Sequence, residues 1–228
     1  MNTAIIVAAG SGERFRSEIP KQFLELNGRP VIERTVERMH SAPSIDSITL
    51  VLAPDHLHRF DELRARFPKL TAIVAGGQSR AESVRNGLDA IPAGCDIVAV
   101  HDGARPLVSV DEIERTIAQA GSSGAACLVA PVTDTIKSIR GGEIAATLDR
   151  DKLRRALTPQ AFRLDILKRA FDLADLTNAV TDECYLVEKL GCPIAIVEGR
   201  ASNIKITHPE DLVLAEALIK REKGKRAR

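Results

Sequence analysis

The chain has 228 residues, of which 44% are hydrophobic and 28% charged, and its formal net charge is +1. This length suits one α/β domain with a substantial core and leaves little room for two. The near-neutral charge and an aromatic content of 3% argue against a nucleic-acid-binding protein, which needs a local basic field and stacking side chains. No apolar run reaches the roughly 18 residues of a membrane helix. The four cysteines lack metal-binding spacing, so we expect reduced thiols and a cytoplasmic location.

Short β-prone runs alternate with helical patterns up to residue 130, an order typical of a parallel sheet flanked by helices. The run 3–8 lacks polar alternation, which predicts a strand buried on both faces. Further strands are predicted at 47–52, 71–75, 97–101 and 125–130, and helices at 31–40, 55–67, 79–90 and 110–120. The predicted fold class is therefore α/β, with a mostly parallel, twisted sheet.

The pattern changes after residue 130. Residues 134–149 predict a β-hairpin around Gly141-Gly142, which suits an arm that packs on another subunit. Thr158-Pro159 fits a turn, and Thr181 fits the cap of a helix at 182–190. The remaining elements predicted are a helix at 164–174, a strand at 194–198 and a last helix from Pro209 to about Arg221. We expect a single domain over residues 1–222, with its β-arm at about 134–152, followed by a disordered basic tail at 223–228.

A glycine loop follows the first strand directly. Gly10 and Gly12 would let the backbone approach a ligand and aim N–H groups at phosphate oxygens. The loop is not a dinucleotide fingerprint, because Phe15 stands where the third glycine is needed, and it is not a Walker A loop. Alone it could be a structural turn, but Arg14 and Lys21 add two cations that can hold a triphosphate while a phosphoanhydride breaks.

Two more loops follow predicted strands. Residues 76–83 read Gly-Gly-Gln-Ser-Arg-Ala-Glu-Ser and could receive a base or ribose, or be an ordinary loop with Ser79 as a helix N-cap. Asp102 ends another strand, where open α/β sheets bind ligands, and its carboxylate suits Mg²⁺ shared with phosphate oxygens. Arg105 could bind a second phosphate or pair with Asp102, and Lys205, in the run Asn-Ile-Lys-Ile-Thr, is a further candidate cation.

The chain resembles the 2-C-methyl-D-erythritol 4-phosphate cytidylyltransferases in motifs that occur in the same order: Ala-Ala-Gly-Ser-Gly-Glu-Arg, Pro-Lys-Gln, His-Asp-Gly-Ala-Arg-Pro, Pro-Val-Thr-Asp-Thr-Ile-Lys, Leu-Thr-Pro-Gln, Thr-Asp-Glu and Asn-Ile-Lys-Ile-Thr. The likeness runs from Ala8 to about Leu214. It implies a Rossmann-like nucleotidyltransferase fold and transfer of CMP from CTP to the polyol phosphate, with release of pyrophosphate. It also implies a need for Mg²⁺, with Mn²⁺ as an alternative, and a homodimer built by exchange of the β-arm.

The resemblance further implies a role for individual positions. The catalytic residues would be Arg14, Lys21 and Lys205. CTP would be bound by Ala8, Ala9, Gly10, Gly12, Gly77, Gln78 and Ser83. The polyol phosphate would be contacted by Arg105, Thr135, Arg150, Thr158, Thr181 and Thr207, and Asp102 would hold the metal.

Two other functions compete with this one. Sister cytidylyltransferases with a similar His-Asp-x-Ala-Arg core use D-ribitol 5-phosphate, and Thr135, Arg150 and Thr158 would have to distinguish the two polyols. A non-catalytic nucleotide-sensing module could keep the fold, but it would be expected to lose a phosphate cation or the metal carboxylate. Arg14, Lys21, Asp102 and Lys205 are all present, which favours an enzyme.

Overall fold

The computed structural model describes residues 1–10, 15, 20–176 and 180–226. The described strands are β1 (Asn2–Ala8), β2 (Glu25–Leu26), β3 (Arg29–Pro30), β4 (Ser47–Leu52), β5 (Leu70–Ala75), β6 (Ile97–Asp102), β7 (Ala125–Pro131), β8 (Lys137–Arg140), β9 (Glu143–Thr147), β10 (Arg154–Arg163) and β11 (Ala195–Glu198). The α-helices are α1 (Val31–His40), α2 (Asp61–Arg66), α3 (Arg80–Asp89), α4 (Val110–Ser123), α5 (Leu164–Leu173), α6 (Glu183–Lys189) and α7 (Pro209–Arg226). Short 3₁₀ segments lie at Lys21–Phe23, Pro54–Phe60 and Arg150–Lys152.

The main sheet has seven strands in the order β11-β7-β10-β6-β1-β4-β5. All of its pairs are parallel except those that β10 makes with β6 and β7. The predicted α/β class and mostly parallel sheet are confirmed. Among the described residues, no helix is long and apolar enough to cross a membrane.

Helices cover both faces of this sheet, as the apolar run 3–8 predicts. Along β1, Ala4 and Ile6 face a core that α1 and α4 complete, whereas Ile5 faces the opposite core, which α3, α5 and α6 complete. Successive strand side chains point to opposite faces, so a strand covered on both sides has no polar alternation. A third apolar cluster packs α7 against β2 and the loop after β6, through residues that include Leu26, Leu107 and Ile219.

The prediction of a turn at Thr158-Pro159 is wrong. Both residues lie inside β10, the antiparallel strand between β6 and β7. The register with β7 shifts between Ala156 and Gln160, and proline is tolerated in sheets at such irregularities because its missing N–H breaks no regular ladder. The local sequence signals a break, but two neighbouring strands impose an extended chain.

Three helix boundaries also differ from the predictions. The stretch predicted as one helix at 55–67 is a 3₁₀ segment followed by the short α2. Helix α6 begins one residue later than predicted, so its N-cap is Asp182, whose carboxylate accepts the N–H of Tyr185 at 2.9 Å, and not Thr181. Helix α7 continues to Arg226, beyond its predicted end at about Arg221.

The predicted β-hairpin is present as β8 and β9. Gly141 and Gly142 form its turn with φ values of 59° and 85°, which glycine adopts without strain. The side chains of Ile139 and Ile144 are 71% and 67% exposed. The hairpin therefore projects two large apolar side chains away from the core of its own chain.

Candidate active site

A cavity of about 490 Å³ opens at the carboxyl edge of the sheet. Its walls come from the ends of β1 and β6, the loop after β5, the 3₁₀ segment at Lys21–Phe23 and the segment before α7. Because parallel strands end at the same edge, loops distant in sequence meet there. The cavity brings together these predicted residues: Ala8, Ala9, Gly10, Lys21, Gly77, Gln78, Ser83, Asp102 and Lys205.

The predicted residues outside this lining fall into three groups. Gly12 and Arg14 lie outside the described residues. Arg105 and Thr158 contact Asp102 from beside and below the cavity. The remaining four are not brought together with the cavity in the described part of this chain: Thr135, Arg150, Thr181 and Thr207.

Close contacts hold the two glycine loops that follow β1 and β5 against each other. A Cβ at Gly76 would lie 2.2 Å from the Cβ of Ala9, so only glycine fits there. On the other side, the side-chain amide of Gln22 donates to the carbonyls of Ala8 at 2.9 Å and Gly10 at 3.4 Å. These contacts fix the turn that carries Lys21 beside the end of β1.

The loop after β5 is stabilised by the start of α3. Ser79 and Glu82 form a reciprocal capping box, which confirms Ser79 as the N-cap. The buried Ser83 hydroxyl accepts the N–H of Gly77 at 3.1 Å and donates to the carbonyl of Ser79 at 2.9 Å. Ser83 therefore shapes the loop, and Gln78 projects from a fixed backbone.

Asp102 is the centre of the charge distribution. Its Oδ2 lies 3.0 Å from Lys205 Nζ and 3.2 Å from Arg105 Nε, and its Oδ1 lies 3.4 Å from Arg80 Nη2. Burial opposes ionisation of this carboxylate, but the three cations outweigh burial and hold the pKa of Asp102 well below its usual range. Asp102 is therefore ionised at neutral pH, and among the described residues that line the cavity the cations outnumber the carboxylates.

Arg80 and Glu183 are functional candidates that sequence reasoning did not identify. Arg80 lines the cavity and makes a bidentate ion pair with Glu183, at 2.6 and 3.0 Å. Burial favours the neutral guanidinium, but the carboxylates of Glu183 and Asp102 reverse this effect and raise the pKa of Arg80. Burial raises the pKa of Glu183, against the attraction of Arg80. The sequence did contain a signal for both residues, because Arg80 lies in the loop motif at 76–83 and Glu183 lies in the Thr-Asp-Glu motif.

A chain of hydrogen bonds supports Asp102 from below. His101 Nε2 lies 3.1 Å from the carbonyl of Arg105, which can only accept, so this nitrogen carries the proton. Nδ1 then accepts the hydroxyl of Thr158 at 2.9 Å, and that hydroxyl accepts the N–H of Asp102 at 3.1 Å. Burial lowers the pKa of His101 to about 4, so the ring is neutral at pH 7. His101 is therefore a neutral, buried packing residue beneath Asp102.

The predicted polyol contacts are arranged differently. The Thr158 hydroxyl is buried and makes both of its hydrogen bonds inside the protein, an arrangement that gives no support to direct contact with substrate. Thr207 donates its N–H to Asp211 and its hydroxyl to the carbonyl of Lys205, so it shapes the segment that carries this lysine. Arg150 and Thr135 are exposed at the base of the hairpin, and Arg150 donates to the carbonyl of Thr133.

Comparisons with known proteins agree with this geometry. The model of the IspD (2-C-methyl-D-erythritol 4-phosphate cytidylyltransferase) family matches residues 2–221. A relative of that name from Syntrophus aciditrophicus is 43% identical over an alignment of 227 positions, which covers 97% of this chain and 97% of that one. The crystal structure of the Thermus thermophilus enzyme is 33% identical with a TM-score of 0.78, over 95% of this chain and 98% of that one.

A second solved structure, the 4-diphosphocytidyl-2C-methyl-D-erythritol synthase of Anaerococcus prevotii, is 28% identical with a TM-score of 0.85, over 96% of both chains. The match of the family model covers the whole sheet and every described segment of the cavity. The chain therefore belongs to the 2-C-methyl-D-erythritol 4-phosphate cytidylyltransferase family, and it is a nucleotidyltransferase of the non-mevalonate isoprenoid pathway.

Proposed function

We propose that this chain transfers CMP from CTP to 2-C-methyl-D-erythritol 4-phosphate at the cavity described above, releasing pyrophosphate. The observation that carries the proposal is the grouping of Asp102 with Lys205, Arg105 and Arg80 at a cavity that Lys21 also lines. A triphosphate and a phosphate monoester are both polyanions, so bringing them together requires an excess of fixed positive charge. The cavity supplies this excess next to two glycine loops.

The chemistry would depend on positioning more than on proton transfer. The second pKa of a phosphate monoester is about 6, so the attacking oxygen is largely ionised at neutral pH and needs no general base. Attack on the α-phosphorus of CTP in line with the leaving pyrophosphate then requires alignment and charge neutralisation. Lys21 and Lys205, which both line the cavity, would stabilise the transition state. Arg14 would neutralise the departing pyrophosphate.

Asp102 fits a magnesium ion held jointly with the nucleotide. Within the described residues, no group of three or more His, Cys, Asp or Glu side chains could hold a metal without help. Magnesium commonly takes one or two carboxylates and completes its shell with phosphate oxygens and water. When bound, the ion would neutralise charge on the triphosphate. Manganese is the alternative metal, and a titration with each ion would compare Mg²⁺ with Mn²⁺.

The exposed hairpin supports a homodimer. Ile139 and Ile144 are largely exposed, and Arg150 and Thr135, at the base of the same hairpin, are exposed and do not line the cavity of their own chain. We propose that the hairpin packs on a second copy and brings Arg150 to that copy's site. Ile139→Asp should convert a dimer to a monomer in sedimentation velocity and lower turnover. Ile196→Asp, an equally drastic change at an exposed position on edge strand β11, should do neither, and a dimer that survives Ile139→Asp would contradict the proposal.

A cytoplasmic location is proposed from the thiols. All four cysteines lie in the described part of the chain and are free, two of them buried. Free thiols persist in a reducing compartment. Localisation of a tagged chain in a bacterial host would test this, and recovery in an oxidising compartment would contradict it.

The reaction is tested by pyrophosphate release with CTP, using ATP, GTP and UTP as controls. Methylerythritol 4-phosphate and D-ribitol 5-phosphate are compared as acceptors, with Mg²⁺ or Mn²⁺. We expect turnover confined mainly to CTP and methylerythritol 4-phosphate. A preference for ribitol 5-phosphate would keep the mechanism and overturn the substrate, and CTP binding without release would overturn the enzymatic role of the site.

A further inference from the structure

We infer that Glu183 is a positioning residue for this reaction, acting through Arg80 on Asp102. The inference rests on the proposed role of Asp102 in the site. Glu183 is fully buried, and among the described residues its only ion-pair partner is Arg80. A buried carboxylate with one cationic partner holds that cation strongly, because water cannot solvate the carboxylate in its place.

Arg80 is shared unequally between two carboxylates. It reaches Glu183 through two bonds of 2.6 and 3.0 Å, whereas its Nε and Nη2 lie 3.4 Å from Asp102 Oδ1. Charge-assisted bonds of full strength are about 2.7–2.9 Å long. Glu183 therefore holds the guanidinium back from Asp102.

The two oxygens of Asp102 differ in consequence. Oδ2 faces Lys205 at 3.0 Å and Arg105 at 3.2 Å, while the contacts of Oδ1 with the described residues are the longer ones to Arg80. Oδ1 is thus the oxygen more available to a ligand that enters the cavity. Without the charge of Glu183, Arg80 would be drawn onto Oδ1 and would compete with that ligand.

The start of α6 is anchored independently of this ion pair. The Gln160 side chain donates from Nε2 to the Asp182 carboxylate at 2.8 Å, and its Oε1 accepts the N–H of Cys184 at 3.1 Å. Gln160 lies in β10, which pairs with β6, the strand that ends in Asp102. Removing the charge at position 183 should therefore leave the backbone of α6 in position.

The test compares Glu183→Gln with Glu188→Gln, the same change at an exposed position of the same helix. For Glu183→Gln we expect kcat to fall by about tenfold or more while the KM for CTP changes by less than about threefold, which is the signature of an interaction needed in the transition state. Mn²⁺ binding in the presence of CTP, followed by electron paramagnetic resonance, should weaken. Glu188→Gln should change neither quantity. A kcat within about twofold of the unsubstituted chain would overturn the inference.

A double substitution separates positioning from a structural role. If Glu183 acts through Arg80, adding Glu183→Gln to Arg80→Gln should cost no further turnover, so the two effects should not multiply. Multiplying effects would overturn the inference. If Glu183→Gln does not fold, Glu183→Asp can replace it, because aspartate keeps the charge on a shorter side chain. This variant should lose part of kcat at an unchanged melting temperature. Full activity of Glu183→Asp would also overturn the inference.

Asp102→Asn distinguishes this inference from the proposed site. If that variant stays active, the role of Asp102 itself is wrong. If Asp102→Asn is inactive while Glu183→Gln is fully active, only the inference about Glu183 fails.

Discussion

Replacing His101 by glutamine should remove a large part of the acid sensitivity of this fold. The ring is fully buried, donates from Nε2 to the carbonyl of Arg105 and accepts at Nδ1 from Thr158. Protonation of Nδ1 would destroy this acceptor and place a charge where water cannot reach it. Glutamine is a neutral amide that can still donate to the Arg105 carbonyl and does not titrate in this pH range.

The magnitude follows from the pKa of the ring in the two states. In the unfolded chain a histidine has its ordinary pKa of about 6.5, whereas burial lowers the pKa of His101 to about 4 in the folded protein. Between these values the unfolded state binds more protons, so the free energy of unfolding falls as the pH falls. At about 1.4 kcal/mol per pH unit, the loss between pH 7 and pH 4 is about 3 kcal/mol.

Urea unfolding of the unsubstituted chain and of His101→Gln at several pH values between 7 and 4 provides the measurement. The unsubstituted chain should lose about 3 kcal/mol more than the variant over this range, because other titrating groups contribute equally to both. His58→Gln, at an exposed position, is the matched control and should leave the pH dependence unchanged. Parallel pH profiles for the unsubstituted chain and His101→Gln would refute the reasoning.

Three further substitutions test the site and its support. Lys205→Ala removes the Nζ that lies 3.0 Å from Asp102. The kcat should fall by about 10²-fold, while the dissociation constant for CTP, measured by equilibrium dialysis, should change far less. Equal losses in kcat and in CTP binding would contradict the catalytic role of Lys205. Gly76→Ala should raise the KM for CTP, because the added Cβ would lie 2.2 Å from the Cβ of Ala9. Gly121→Ala is the control and should leave this KM unchanged, because its Cβ would meet nothing within 4 Å. Equal KM values for the two variants would contradict a tight contact between the loops. Ser109→Ala removes the N-cap of α4; the free energy of unfolding should fall by about 1 kcal/mol in urea at unchanged kcat, and unchanged stability would show that the cap contributes nothing.

The parts of the fold that sequence predicted correctly have local signals. Strand β1 is a short apolar run that ends in a glycine loop, and Ser79 is followed three residues later by Glu82, which is the pattern of a capping box. Helix α1 has the predicted bounds, because its apolar positions repeat with the helical period and it follows Pro30. These elements could be predicted because residues close to them in sequence determine their structure.

Strand β10 shows where this reasoning ends. Its central Thr-Pro pair resembles a turn, and its extended form depends on β6 and β7 on either side. The ion pair between Arg80 and Glu183 joins residues that are 103 positions apart. Each of them alone resembles an ordinary charged residue at a helix start, so only the folded chain shows that they face one another.

These two failures have a common consequence for the site. Because β10 lies beside β6, its Thr158 supports the backbone N–H of Asp102 and its Gln160 anchors the start of α6, which carries Glu183. The Leu-Thr-Pro-Gln motif, whose Thr158 the family resemblance assigned to the polyol phosphate, therefore supports the groups around Asp102 from within the sheet. Substitutions in this motif should change how Asp102 is held before they change which polyol is accepted. Measuring the KM for both substrates in a Thr158→Val variant separates these roles. A KM that rises for the polyol phosphate alone would show that Thr158 contacts this substrate directly.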